Sequence, residues 1–157
     1  MNIHIGSDHA GFLLKEDIKY NLTKNNEYNL IDHGTFTQDS VDYPDFAKSV
    51  SKEVLQDNNS IGILICGTGI GISIVANKIK GIRCALCLNE KMAELSRQHN
   101  NANILALGAR FGKNGDNITN DNFEKYSNDI LKIINKFIKT PFSNEERHIN
   151  RIKKFEI

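Results

Sequence analysis

Ile61-Gly-Ile-Leu-Ile-Cys66 runs directly into Gly67-Thr-Gly-Ile-Gly71. The first stretch is a continuous run of mostly β-branched apolar residues, the pattern of a strand covered on both faces. The second is a glycine-rich turn, and the residues after it, to about Lys78, have helical character. A strand, a tight turn and a helix in that order form half of a βαβ unit. The rest of the chain repeats the pattern on either side.

Upstream, Ile3-His-Ile5 predicts a strand, and Phe12 to about Lys24 has the period of an amphipathic helix. Asn29-Leu-Ile-Asp32 predicts a second strand, ending at His33-Gly34. Pro44 suits the first turn of a helix that continues through Phe46, Ala47, Val50, Val54 and Leu55. Downstream, Cys84–Leu88 and Ile104–Leu107 predict strands around a helix from Glu90 to about Gln98. Phe111 to about Asp121, with Gly112-Lys-Asn-Gly-Asp-Asn117, predicts an exposed loop. A helix follows from about Phe123 to Ile138, and Pro141 ends it. Ser143-Asn-Glu-Glu146 predicts a capping box for a last helix spanning about 144–155. Five strands alternating with helices predict an α/β fold, a parallel sheet with helices on both faces. In such folds ligands bind outside the carboxyl ends of the strands. That places attention on Gly6–Gly11, His33–Tyr43, Cys66–Gly71, Asn89–Lys91 and Gly108–Arg110.

The 157 residues suit one domain, and 39% hydrophobic with 25% charged residues is a globular composition. Lys and Arg number 20 against 19 Asp and Glu, a formal net charge of +1. That balance gives no electrostatic ground for a nucleic-acid or anionic-membrane partner. Three cysteines do not make a disulfide framework, so a reducing, cytoplasmic setting is expected. No apolar run approaches the ~20 residues of a transmembrane helix, and the first residues lack a secretory pattern.

The glycine loop is the strongest chemical signal. Backbone N–H groups at glycines can close on an anion, and a helix N-terminus adds partial positive charge. Such a loop holds a phosphate or an oxyanion that develops during reaction. It is not a P-loop, because no Gly-Lys-Ser/Thr follows. It also departs from the dinucleotide fingerprint, which would need glycine where Ile72 stands. Glu90, just past the next strand, keeps a nucleotide-binding alternative open. Cys66 is the last residue before the amides, where the positive field favours a thiolate. Its plainer role is a small buried apolar side chain. Cys84 and Cys87 should point to opposite faces of a strand and are read as core.

Asp8-His9 follows the first strand. Asp8 can accept sugar hydroxyls or simply cap the first helix. His99-Asn100 ends the fourth helix. Arg147, His148 and Arg151 are expected to make one side of the last helix cationic, a phosphate clamp or a solvated face. His4 and His33 are assigned no role. No metal-ligand spacing occurs among the histidines, so no metal is expected.

Several blocks together resemble the type B ribose-5-phosphate isomerases and their galactose-6-phosphate isomerase relatives. They are Gly6-Ser-Asp-His-Ala-Gly-Phe12, Asp42-Tyr-Pro44, Ile65-Cys-Gly-Thr-Gly-Ile-Gly-Ile-Ser73, Ala76-Asn-Lys78, Gly81-Ile-Arg83, Leu95-Ser-Arg-Gln-His-Asn100, Ala106-Leu-Gly-Ala-Arg110 and Arg147-His-x-x-Arg151. They span nearly the whole chain, in order. The resemblance implies a three-layer Rossmann-like α/β/α domain, no cofactor, and a homodimer, or a tetramer, with sites at the subunit interface. It also implies a last helix that packs on a partner subunit. The implied reaction interconverts ribose 5-phosphate and ribulose 5-phosphate through a cis-enediolate. Cys66 is then the base between C1 and C2, and Gly67, Gly69, Ile70 and Gly71 form the anion hole. His99, helped by Thr68, opens the furanose ring. Asp8, Tyr43 and Asn100 contact the sugar. His9, Arg110, Arg147 and Arg151 contact phosphate or substrate, some of them from the second subunit. Some relatives carry an acidic base in the loop, but position 72 is Ile here. The galactose-type relatives tend to lack the histidine found at position 99, which favours a ribose-type substrate, with allose 6-phosphate a further possibility. The stretch around Phe111–Lys125 is longer than the family pattern.

Overall fold

In the computed structural model, residues 1–24, 27–112 and 114–155 are described. Five strands form one parallel sheet: β1 (Asn2–Ser7), β2 (Asn29–Asp32), β3 (Ser60–Cys66), β4 (Cys84–Leu86) and β5 (Ile104–Gly108). Their order is β2-β1-β3-β5-β4. The six α-helices described are α1 (Phe12–Thr23), α2 (Tyr43–Gln56), α3 (Ile70–Ala76), α4 (Glu90–Asn100), α5 (Phe123–Lys139) and α6 (Glu146–Ile152). None of the described helices is long and apolar enough to cross a membrane.

The alternation of side chains along the strands creates two cores. Ile61, Ile63 and Ile65 face one side with Ile3, Ile5, Leu105 and Leu107, under α1, α4 and α5. Leu64 and Cys66 face the other with Ile104 and Ala106, under α2 and α3. In α5 the buried Ile130, Ile133, Ile134 and Phe137 keep the i, i+3, i+4, i+7 spacing of one helix face. Burying side chains of this size stabilises the fold by roughly 1.5–3 kcal/mol each. The three-layer α/β/α sandwich follows, as expected from the alternating apolar runs.

Several boundaries differ from the periodicity. Strand β4 ends at Leu86, because the chain turns for Asn89 to cap α4, accepting from the Met92 N–H at 2.9 Å. Helix α3 stops at Ala76, where the Asn77 side chain turns to bond the backbone of Cys84 at 2.8 Å. Helix α4 runs to Asn100, and Asn101 closes it in the left-handed conformation. The predicted capping box does not form. Helix α6 starts only at Glu146, with Glu145 as its N-cap and no side-chain cap. Between Arg110 and α5, Phe111 and Asn117 form an antiparallel bridge, and Asn122 bonds the backbone of Asn117 and Thr119. The loop is therefore internally tied; Lys113, within the predicted loop, lies outside the described residues.

From β1 the chain moves outward to β2, and from β3 the connections run the other way, through β4 and back to β5. The crevice between β1 and β3 is thus the switch point of the sheet, where such folds place ligands.

Candidate functional site

At the carboxyl end of β3, Cys66 is 4% exposed, and its Sγ accepts the Gly69 N–H at 3.1 Å. Gly69 has φ +75°, and a Cβ there would lie 2.8 Å from the Leu107 carbonyl carbon. Only glycine fits this turn, which folds the backbone over the thiol and starts α3 at Ile70. Ile70 N–H is directed to Thr68 Oγ1 at 3.2 Å. Thr68 and Ile70 are exposed on the rim.

Three other segments meet this loop. A Cβ on Gly71 would lie 2.7 Å from Tyr43 Cζ, so the phenol packs against that glycine. A Cβ on Gly67 would lie 3.2 Å from Arg110 Cδ, and Arg110 N–H donates to Gly67 O at 2.9 Å. Asp8 N–H donates to Ile65 O at 3.2 Å, fixing the end of β1 beside β3. Asp8 does cap the helical turn after β1: its Oδ1 accepts the Gly11 N–H at 3.0 Å. His9 Nδ1 sits 3.2 Å from both N and O of Val41, which ties it to the segment carrying Tyr43. Asp8, His9, Tyr43, Cys66–Gly71 and Arg110 therefore gather at one edge of the sheet.

The remaining predicted residues do not join them. Helix α4 starts after the carboxyl end of β4 and returns to the amino end of β5. Asn103 O accepts the Gly62 N–H at 2.9 Å, and Asn101 O accepts Arg83 Nε–H at 2.9 Å. Cys66, by contrast, pairs with Gly108 at the other end of β5. A strand rises about 3.3 Å per residue, so this length separates the two ends by on the order of 15 Å. His99 and Asn100 lie at the amino edge. Helix α6 lies there too, docked on α4 of its own chain by Ser143 N–H to Gln98 O at 3.1 Å. Asn100 lines a cavity of about 360 Å³ with Asn77, Cys84, Ser96 and Phe155.

Within α6, Arg147 and Arg151 are exposed, and Arg147 Nε bonds Glu145 Oε2 at 2.8 Å. His148 does not share their face, contrary to the predicted cationic grouping. It is 1% exposed, its ring centroid 4.3 Å from that of His99 and its Nδ1 2.7 Å from Ser143 Oγ. Positions i and i+4 of a helix share a face, whereas i+1 turns about 100° away.

The other cysteines behave as core. Cys84 packs in the core that holds Cys66 and Cys87 in the opposite one. Burial pushes both thiols up, Cys87 to about 11. Two features escaped the residue pattern. Lys15 is fully buried, its Nζ 2.6 Å from Asp32 Oδ2 and 2.8 Å from Glu16 Oε1. His4 Nδ1 lies 2.9 Å from His33 Nε2, and His33 Nδ1 lies 3.0 Å from Ser49 Oγ.

Residues 3–155 match the family model described as Ribose/Galactose Isomerase. A probable ribose-5-phosphate isomerase B of Mycoplasma genitalium is 40% identical over 159 residues, covering 99% of this chain and 95% of that protein. The solved ribose 5-phosphate isomerase of Thermotoga maritima superposes with a TM-score of 0.86 at 44% identity, covering 99% of this chain and 97% of its own. The Mycoplasma genitalium ribose-5-phosphate isomerase B structure, which has ribulose-5-phosphate bound, superposes with a TM-score of 0.83 at 41% identity, covering 98% and 92%. On its motifs, its fold and these matches, the chain belongs to the ribose/galactose isomerase family.

Proposed function

We propose that this chain is an aldose–ketose isomerase that interconverts D-ribose 5-phosphate and D-ribulose 5-phosphate through a cis-enediolate. The observation that carries this reading is the Cys66 thiol beneath the Gly67–Gly71 backbone at the switch point, with Gly69 N–H already on its sulfur. The Cys66 thiolate removes the proton from C2 of the open-chain aldose and returns it to C1. The enediolate charge falls to those N–H groups of the Gly67–Gly71 loop that turn to the substrate, each such donor being worth about 2.7–4 kcal/mol in comparable sites. Asp8 and Tyr43 hold sugar hydroxyls, and His9 and Arg110 hold the phosphate end.

The sugar arrives as a closed ring, which His99 opens with help from Thr68. His99 and Asn100 stand at the amino edge with Arg147 and Arg151, so the complete site needs two copies. One copy supplies base and anion hole. The other supplies the ring-opening histidine, Asn100 and the α6 arginines. Ile70 and Ile74, 52% and 54% exposed and one turn apart on α3 beside the loop, offer an apolar surface for that second copy. A closed two-fold pair builds two identical sites of this kind. A soluble setting without cofactor is part of this reading. The experiment is direct: purified protein is mixed with ribose 5-phosphate and ketose formation is followed. Steady turnover supports the reading. Thermal stabilisation by NAD or ATP alone, with no turnover, would replace it by a nucleotide-binding module.

A further inference from the structure

Helix α6 is only seven residues long, yet it buries a histidine completely. Ser143 sets the position of that ring. Its backbone N–H is held by Gln98 O in the last turn of α4, and its Oγ accepts the Glu145 N–H at 3.3 Å. The same Oγ lies 2.7 Å from His148 Nδ1. A hydroxyl both donates and accepts, so Ser143 holds the ring through Nδ1 in either neutral tautomer. Burial disfavours a charged His148, and His99, Arg147 and Arg151 act the same way; Glu145 alone opposes them. The ring is therefore a neutral plate. Against it lies His99, its centroid 4.3 Å away and its plane tilted by 34°. This is the offset contact of two aromatic rings. A neutral plate also tolerates a positive charge on its neighbour, which a second imidazolium would repel.

Ring opening needs such tolerance. The O1 hydroxyl loses its proton, C1–O4 breaks as C1=O1 forms, and O4 gains a proton. The group that carries these protons alternates between neutral and cationic forms while keeping its place. We infer that His148 is a positioning residue for ring opening: fixed by Ser143, it stacks on His99 and holds that ring in one orientation through both of its charge states. The inference rests on the proposed role of His99.

The test separates ring opening from proton transfer. Ribulose 5-phosphate cannot close to a furanose, because its C5 oxygen carries the phosphate. Deuterium wash-in at C1 of ribulose 5-phosphate therefore reads proton transfer alone, whereas kcat with ribose 5-phosphate includes ring opening. His148→Ala is expected to lower that kcat by about tenfold or more, a loss of orientation within general acid–base catalysis. KM and deuterium wash-in should hold within about twofold. His148→Phe keeps a plate and should recover most of the lost kcat. An unchanged kcat in His148→Ala overturns the inference. So does a parallel loss of kcat and wash-in with a raised KM, which is the signature of an undocked α6. A His148→Phe no better than His148→Ala overturns it too, and this variant keeps the question open to measurement should the alanine variant fail to fold. His99→Asn, run alongside, tests the underlying reading. If it lowers kcat and spares wash-in, a failure of His148→Ala falls on the stacking argument alone; if it shows no such split, the role of His99 fails and the inference falls with it.

Discussion

Gly69 N–H donates to Cys66 Sγ at 3.1 Å, across a turn that only a residue with positive φ can make. The bond places a main-chain donor on the sulfur itself. The same thiol is buried on the α2–α3 side of the sheet. In the proposed reaction, base and anion hole come from this single stretch of chain.

Removal of the sulfur should therefore stop proton transfer without removing the binding surface. Cys66→Ala is expected to lower kcat by at least about 10²–10⁴-fold, the usual share of a general base. The Kd for a sugar phosphate, measured by calorimetry, should stay within a few-fold. Retained deuterium exchange into ribulose 5-phosphate would remove Cys66 as the base.

Gly69→Ala should damage the same step by another route. The added Cβ would meet the Leu107 carbonyl carbon at 2.8 Å and the Gly108 nitrogen at 3.0 Å, both main-chain atoms that cannot swing away. Positive φ adds roughly 1–2 kcal/mol for a non-glycine residue. The variant is expected to lose both stability and kcat. Wild-type kcat with an unchanged melting temperature would contradict the role given to this turn.

Away from the crevice, the buried Lys15–Asp32 pair makes a stability prediction. Burial alone would raise the Asp32 carboxyl, but hydrogen bonds from Lys15 and Lys19 and the Gly34 N–H outweigh it and hold it below its ordinary 3.8. A depressed carboxylate stabilises the fold above its unfolded value and loses that contribution as pH falls through the folded value. Stability should fall on acidification below about pH 4. Asp32→Asn leaves the Lys15 ammonium under-compensated and should cost about 3–5 kcal/mol at neutral pH. Urea unfolding at pH 7 checks this; a loss under 1 kcal/mol would contradict it.

His4 and His33 predict a second pH window. Burial lowers His4 first and the His33 ring lowers it further, while Glu53 and Asp57 pull the other way. Burial also lowers His33, against Glu53 and Asp32. The unfolded chain therefore takes up protons first, from about its ordinary value of 6.5 downward. Stability present above pH 6.5 is lost as pH falls toward the folded values. In His4→Val the decline between about pH 6.5 and 5 should be shallower, measured as urea midpoints. Parallel curves for the two proteins would contradict the pairing.

The sheet, both helical layers and the glycine turn were legible in the residues, because strands buried on two faces read as unbroken apolar runs. The ends of α3 and β4 were not, since Asn77 and Asn89 set them through side-chain bonds that periodicity does not register. Neither was the burial of His148, because docking on α4 sets the rotation of so short a helix. Lys15 falls within the α1 stripe, and only the position of Asp32 on β2 explains why a lysine is buried there. The partition of the candidate site was legible in principle. A helix joining two parallel strands starts at the carboxyl edge and ends at the amino edge, so the end of α4 cannot reach the end of β3 in its own chain.

Subunit mixing tests that partition. Cys66→Ala and His99→Asn protomers, each unable to turn over ribose 5-phosphate, are unfolded together, refolded and assayed. If every site joins Cys66 of one copy to His99 of another, each mixed pair holds one intact site. Random pairing then restores about a quarter of wild-type activity. A mixture no more active than its two components would show that both residues serve within a single chain, and would contradict the account.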